Sequence, residues 1–441
     1  MFRQIELELR KWKDLVHPHP LLLRGARQVG KSFTIEKFAK ENFENFITIN
    51  FEYDFEFYDD FTSLDPHHII NQIFLKKNIE VKKTKTLIFL DEVQFFPQAI
   101  QALRYFYEKI PGLHVIAAGS LIDFALKKEP VSMPVGRVHY LYMHALSFKE
   151  FLQAQEQKGF LSFIETLKLS DQEALKDQSV HEKLIQEVQN YLLLGGMPAV
   201  IREYLNQSKQ FPLAFREQRQ IINSYIDDFR KYGKESEFKH LRKTFERSPH
   251  LISKKFKYSQ VDPDSKSQDL KNALELLIDA NIFSKIRATS ASSIPLELNA
   301  SDSDFKILSL DCGLVQNIIS ANNESLYISD FNSGLITEQF VGQELKANYD
   351  SYNQRQLYYW FNDAKNADGE IDYLIEVDGH IIPVEVKAAK RGKLKSLRFF
   401  MEKYKSPLGI RVSANPLSFE DNILSVPLYA VSEIPRLVKE Q

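Results

Sequence analysis

The chain holds one cysteine, Cys312, in 441 residues. A single thiol excludes a disulfide framework and any multi-thiolate metal centre, and it fits a reducing compartment. Long apolar runs are also missing: none approaches the roughly 18 residues that a membrane span requires. The first ten residues, Met1 to Arg10, contain acids and lack the apolar core of a signal peptide. Neither sign of charge is in excess, with 57 Lys and Arg against 59 Asp and Glu and a formal net charge of -2. That balance excludes a protein held on nucleic acid by bulk charge alone, because such binders carry a basic surplus. These absences together predict a cytoplasmic protein with no membrane association. What is present is ordinary for a folded chain, 44% hydrophobic and 26% charged. At about 100–200 residues per domain there is room for two to four domains.

Residues 20–145 alternate short apolar runs with amphipathic stretches. The segments 20–24, 46–51, 86–90 and 113–118 read as strands, the last two nearly continuous in apolar residues, as strands buried on both faces of a parallel sheet are. Helical patterns at 31–41 and 97–109 lie between them, and this alternation implies an α/β fold. From Ser147 to about Lys234 the pattern is helical, with a break at Gly195-Gly196-Met197-Pro198. Residues 236–286 read as a small helical unit in which Leu270, Ala273, Leu274, Leu277 and Ile278 recur at helical spacing before a strand. The polar stretches 262–268 and 288–303 read as surface loops. After about Ser301 strands and helices are mixed again.

The segment from Gly25 to Ser32, Gly25-Ala26-Arg27-Gln28-Val29-Gly30-Lys31-Ser32, fits G-x-x-x-x-G-K-[ST], follows an apolar strand and opens a helix. Such a loop turns backbone N–H groups of Gly25 through Phe33 around phosphate oxygens, with the helix dipole behind them. Lys31 supplies a charge at the β- and γ-phosphates, and the Ser32 hydroxyl is a ligand for Mg²⁺; both identify ATP and Mg²⁺ as the expected cofactors. The strand 86–90 runs into Asp91-Glu92. Two carboxylates at the end of a buried strand are costly unless a metal or ordered water uses them. Asp91 is expected to hold Mg²⁺ with Ser32, and Glu92 to polarise the attacking water. A third strand ends at Gly119-Ser120, where Ser120 is placed to sense the γ-phosphate, although an ordinary turn would look the same. Arg137 is a candidate for a charge supplied to a neighbouring subunit's nucleotide, with Arg24 and Arg104 as competitors and a plain salt bridge as the alternative.

These residues resemble the AAA-type ATPases. More narrowly, Leu23 to Ser32, Leu90-Asp91-Glu92-Val93-Gln94, Ala118-Gly119-Ser120 and Val135-Gly136-Arg137 resemble a widespread prokaryotic family in which such an ATPase is fused to a C-terminal domain of uncharacterised function. The likeness continues through Leu146 to Phe151 and Gly195 to Pro198. One departure is His144-Ala145-Leu146, where the family commonly has a proline before the leucine. The resemblance implies an AAA-type core over 1–146, a helical lid over 147–234, a winged-helix-like unit over 235–300 and a restriction-endonuclease-like α/β domain over 301–441.

The last of these has its own signature. Asp378-Gly379 separates two alternating apolar runs and reads as a two-residue hairpin turn. Opposed residues then have numbers summing to 757, which sets Asp372 against Glu385 on one face, with Lys387 two residues on and on the same face. Two like charges directly opposed are destabilising without a cation. A divalent metal with Lys387 beside it gives the D…E-x-K arrangement of restriction-endonuclease-like nucleases, in which the lysine orients or activates water. Glu338, on the helix that precedes the sheet, is a further candidate ligand because that fold often takes an acid there. An exposed Glu–Lys ladder would give the same pattern, and Pro383 is able to force a bulge that shifts the register.

Local charge departs from the neutral sum. Residues 239–257 hold seven Lys and Arg against one acid, and residues 387–405 hold eight against one. Phe245, Phe256, Tyr258, Phe399 and Phe400 interleave with them. Such patches make salt-dependent phosphate contacts with little sequence selectivity, so DNA is an expected partner; a solvated helix face is the bland alternative. The histidines lack ligand partners at useful spacing, and Cys312 reads as a small buried apolar residue. Two functions follow as expectations: an Mg²⁺-dependent ATPase with a nuclease-like domain acting on or binding DNA, or an ATP-gated switch or scaffold with an inactive nuclease-like interaction domain. A homo-oligomer or a protein partner fits either.

Overall fold

The computed structural model describes residues 1–128, 131–170, 178–230, 235–320, 334–362, 369–388 and 394–441. The chain forms two units. The first comprises Met1–His144, Asp279–Ile282 and Asp350–Gln354, and the second comprises the remainder.

In the first unit the apolar runs become strands β1 (Leu21–Arg24), β2 (Asn45–Asn50), β3 (Thr86–Asp91), β4 (His114–Ala118) and β5 (His139–Tyr142). They form one sheet in the order β2-β3-β4-β1-β5, and every neighbouring pair is parallel. All residues of β3 and β4 are buried, which is why their sequences lack the polar alternation of a half-exposed strand. Helices Lys31–Asn42 and Gln98–Lys109 cover the sheet close to their expected bounds. Ile47, Phe51, Phe57, Phe61, Ile88, Leu103, Phe106 and Val115 meet in its core. The register pairs Asn50 with Asp91, Leu90 with Ala117 and Leu23 with Ala118, so the C-terminal ends of four strands are level at one sheet edge. Residues that exit those strands are therefore brought together by topology alone.

The second unit is helical from Phe148 to Phe229 over its described residues, with Gly195 at φ 72° where the sequence broke. Its mixed sheet contains β6 (Phe283–Thr289), β7 (Ala300–Ser309), β8 (Leu357–Phe361), β9 (Glu370–Val377), β10 (His380–Lys387), β11 (Gly409–Ser413), β12 (Ser418–Glu420) and β13 (Ile423–Pro427). The order is β12-β13-β11-β10-β9-β8-β6-β7. Two expectations need correcting here. The loop over 288–303 is shorter, because β6 runs to Thr289 and β7 starts at Ala300; the first residues of β7 are polar and solvent-facing on an edge strand, so they carry no apolar pattern. And β6, expected inside the small winged-helix-like unit, pairs in parallel with β8 and so belongs to the sheet of the terminal region.

The hairpin β9–β10 follows the sequence closely. Asp378 and Gly379 have φ of 47° and 79°, the two positive values of a type I′ turn. Each residue pair from His380 with Val377 to Val384 with Tyr373 sums to 757. Pro383 sits opposite Leu374 within this register and forces no shift.

Candidate functional site

The phosphate-type loop leaves β1 at Arg24. Gln28 and Gly30 both have positive φ, 66° and 93°, which turns successive N–H groups towards one side. The helix Lys31–Asn42 starts at Gly30 without any side-chain cap, so its first N–H groups are left for an anion. Lys31 is buried and its ammonium donates to the carbonyls of Gly25 and Ala26, each at 2.8 Å. Burial holds its pKa down to about 8, against the opposing pull of Glu92 and then Asp91. The loop is braced from outside by the helix Ile5–Lys13: the Arg3 guanidinium donates to Val29 O and to His144 O, both at 2.7 Å, and Glu6 accepts from the Arg3 N–H and pairs with Lys37 at 2.9 Å. Arg3 went unnoticed in the sequence because its partners are carbonyls, which leave no trace in residue type.

Across the sheet edge, the Ser32 hydroxyl donates to Asp91 Oδ2 at 2.9 Å, the Asn50 amide approaches the same oxygen at 3.4 Å, and the Glu92 N–H donates to Asp91 Oδ1 at 3.0 Å. Burial, and next the charge of Glu92, push Asp91 up to about 6. A divalent cation beside Ser32 and Asp91 would offset the repulsion from Glu92 and favour the ionised carboxylate. The hydroxyl and the carboxylate, brought within 2.9 Å of each other, are oxygen ligands of the kind that suits Mg²⁺, held directly or through water. Glu92 adopts left-handed backbone angles, φ 53° and ψ 42°, which cost a non-glycine residue about 1–3 kcal/mol and are tolerated where neighbours fix them. Its carboxylate accepts from the Gln94 side-chain amide. Ser120 is buried at the exit of β4, one residue beyond the glycine against which Gln94 packs.

The three arginines do not join this group. Arg24 pairs with Asp123 at 2.8 Å and lies over the Tyr140 ring. Arg104 and Arg137 both pair with Glu108, at 3.1 and 3.0 Å. Arg137 precedes β5, at the sheet edge opposite the phosphate-type loop, so it cannot reach that loop in its own chain.

In the second unit the Asp372 carboxylate accepts the Val386 N–H at 2.7 Å, immediately beyond the ladder, and Lys387 pairs with Glu385 Oε1 at 2.5 Å. Glu385 Oε2 is buried with no partner among the described residues. Burial, then the charges of Glu338 and Glu385, drive the Asp372 pKa well up, and burial likewise raises Glu385. The unexpected member is Lys306 on β7. Its fully buried ammonium pairs with Glu338 at 3.0 Å and Glu370 at 2.5 Å and approaches Asp372 at 3.9 Å. Lys306 thus stands where these negative charges converge, and the surrounding carboxylates raise its pKa against the desolvation. Among the described residues, no three His, Cys, Asp or Glu side chains converge in a metal-holding arrangement. This donor set is gathered around an ammonium.

The basic runs are partly neutralised. Arg242 pairs with Glu246, Lys243 with Asp262, Lys255 with Asp304 and Arg398 with Asp421. Phe245, Phe256 and Phe400 are core residues rather than stacking surfaces, whereas Phe399 is exposed. Lys390, Arg391 and Lys393 lie outside the described residues. No helix among the described residues is long and apolar enough to cross a membrane.

Residues 17–152 match the AAA domain family. Residues 185–325 and 333–431 match two families described as domains of unknown function, DUF8612 and DUF4143. No curated protein matches the chain. Among solved structures, the chain is similar to the Aeropyrum pernix ORC2 protein in ADPNP–ADP complexes, with 10% identity, a TM-score of 0.31 and coverage of 73% of this chain and 95% of that one. It is also similar to AMPPCP-bound DnaA from Aquifex aeolicus, with 15% identity, a TM-score of 0.26 and coverage of 63% and 89%. The Thermotoga maritima RuvB Holliday junction branch migration motor gives 16% identity, a TM-score of 0.26 and coverage of 64% and 86%.

Proposed function

We propose that the AAA-like core, with its parallel sheet and phosphate-type loop, binds ATP with Mg²⁺ and hydrolyses it. The observation that carries this is the convergence of Lys31, Ser32, Asp91 and Glu92 with an uncapped helix N-terminus at one edge of a parallel sheet. Loop N–H groups and the Lys31 ammonium bind and orient the phosphates, while Ser32 and Asp91 provide the oxygen ligands for the cation. Bound Mg²⁺ would neutralise charge on the β- and γ-phosphate oxygens. Glu92 orients a water in line with the γ-phosphorus. The water oxygen bonds to phosphorus as the bond to the β–γ bridging oxygen breaks, giving ADP and phosphate, and the released proton passes by way of the Glu92 carboxylate. Lys31→Ala is expected to abolish nucleotide binding, and Glu92→Gln to retain binding while blocking turnover. Fluorescent-nucleotide titration and phosphate release measure the two; ATP hydrolysis at the normal rate by Lys31→Ala would sink the reading.

For the terminal region we propose a restriction-endonuclease-like module that acts on or binds DNA, resting on the hairpin register and the Asp372, Glu385 and Lys387 face. A second reading, a non-cutting interaction module under control of the ATP state, is favoured by Lys306, which supplies from within the chain the positive charge that a metal would bring. Incubation of supercoiled and single-stranded DNA with Mg²⁺ or Mn²⁺ separates them. Cleavage lost in Asp372→Asn supports the first, and intact DNA with the wild-type chain supports the second. Arg137 is proposed to serve a neighbouring chain's nucleotide, which requires a homo-oligomer.

A further inference from the structure

We propose that Gln94 is a positioning residue that aims the Glu92 carboxylate at the phosphate loop, and that position 119 is glycine to leave room for it. This rests on the ATPase reading above. Glu92, Val93 and Gln94 make the tight turn that leaves β3, a single 3₁₀ turn over Val93–Phe95 that begins from the left-handed Glu92. Within it the Gln94 amide nitrogen donates to Glu92 Oε2, and this fixes which end of the amide points which way. The carbonyl end, Oε1, then points away from Glu92, is buried and has no hydrogen-bond partner among the described residues. It packs on the exit of β4 so closely that a Cβ at position 119 would stand 2.3 Å from Oε1 and 2.9 Å from Ile122 Cγ1. Gln94 therefore spans the gap between the ends of β3 and β4, held at one end by Glu92 and wedged at the other under Gly119.

The arrangement has a direction. One Glu92 oxygen is occupied by the Gln94 amide, and the other is left for a water. A buried unsatisfied carbonyl is costly, and its retention beside a strained Glu92 is explained when the amide end is needed to hold that carboxylate. The hydrogen bond of the Gln94 amide runs to Glu92, so Gln94 acts on turnover through that carboxylate and leaves nucleotide affinity alone.

The test uses the full chain and variants Gln94→Met, Gln94→Glu and Gly119→Ala, with kcat and KM for ATP, Kd for a fluorescent ATP analogue, and the melting temperature. Gln94→Met keeps the length and loses the donor; kcat is expected to fall about tenfold or more while Kd stays within about twofold, the signature of an interaction made only in the transition state. Gln94→Glu sets a second carboxylate where the donor stood and is expected to lower kcat at least as far as Gln94→Met, again with Kd within about twofold. A residue with a merely structural role would move the melting temperature and Kd together with kcat rather than kcat alone. Gly119→Ala is expected to lower kcat in the wild-type background and to lower it less in a Gln94→Ala background, where only the Ile122 side chain still meets the new Cβ. Wild-type kcat in Gln94→Met, or a loss of affinity as large as the loss of kcat, overturns this inference alone. Absence of ATP turnover in the wild-type chain overturns the ATPase reading together with it.

Discussion

Lys31 shows what burial does to a single charged group. Its ammonium is satisfied by two carbonyls in place of phosphate, and desolvation lowers its pKa to about 8 from an ordinary value of 10.5. Below pH 8 the free protein presents a cation to the phosphates. Above it the lysine is neutral, and binding has to take up a proton, so affinity is expected to weaken by up to about tenfold per pH unit between about pH 8 and pH 10. Titration of a fluorescent ATP analogue across this range measures it, and a flat profile would count against Lys31 as the phosphate ligand. Residues of this kind were legible because the chemistry of a phosphate loop is written in eight consecutive positions. Lys306 was not legible, since its nearest carboxylate partner in sequence is 32 residues away and a lone lysine inside an apolar run has no local sign of a partner. Gln94 closes the segment Leu90-Asp91-Glu92-Val93-Gln94, yet nothing in the sequence indicates that its amide reaches Glu92.

At the level of elements, the terminal hairpin was readable because turn and alternation are both local: Asp-Gly with two positive φ values fixes the register, and the register fixes the face. Membership of β6 in the terminal sheet was not readable, since its partner β8 follows about seventy residues later and pairing across such a span has no local code. Lys306 links three of these elements, β7, the helix Gly334–Ala347 and β9, through Glu338 and Glu370. Removing one member of a buried ionic group leaves charges without compensation, typically at a cost of about 3–5 kcal/mol. Lys306→Met is therefore expected to lower the stability of the second unit by about 3 kcal/mol, read as a lower urea midpoint. An unchanged midpoint would show that the carboxylates are held by something other than the ammonium.

At the scale of the whole molecule, the near-zero net charge conceals an uneven distribution. After ion pairing, Lys239, Arg247, Lys254 and Lys257 remain exposed with no acidic partner within reach among the described residues. Four cations meeting phosphates would give a logarithmic salt slope of about -2 to -4, enough for weak binding that physiological salt reduces. If the chain acts on DNA, DNA is expected to stimulate ATP hydrolysis at low salt and to lose that effect steeply as salt rises. Stimulation by a protein partner alone, with no response to DNA at any salt, would favour the switch reading.

The strand that launches the phosphate loop has a further consequence, in the order of synthesis. β1 emerges from the ribosome before both of its sheet neighbours, β4 and β5, and Arg3 closes on the carbonyl of His144. These lateral supports of the loop are thus made late: β4 begins at His114 and β5 at His139, whereas the loop ends at Ser32. At roughly 5–20 residues per second this leaves an interval on the order of ten seconds in which the motif exists without its pocket. The lateral frame of the loop is complete only when β5 and His144 have been made.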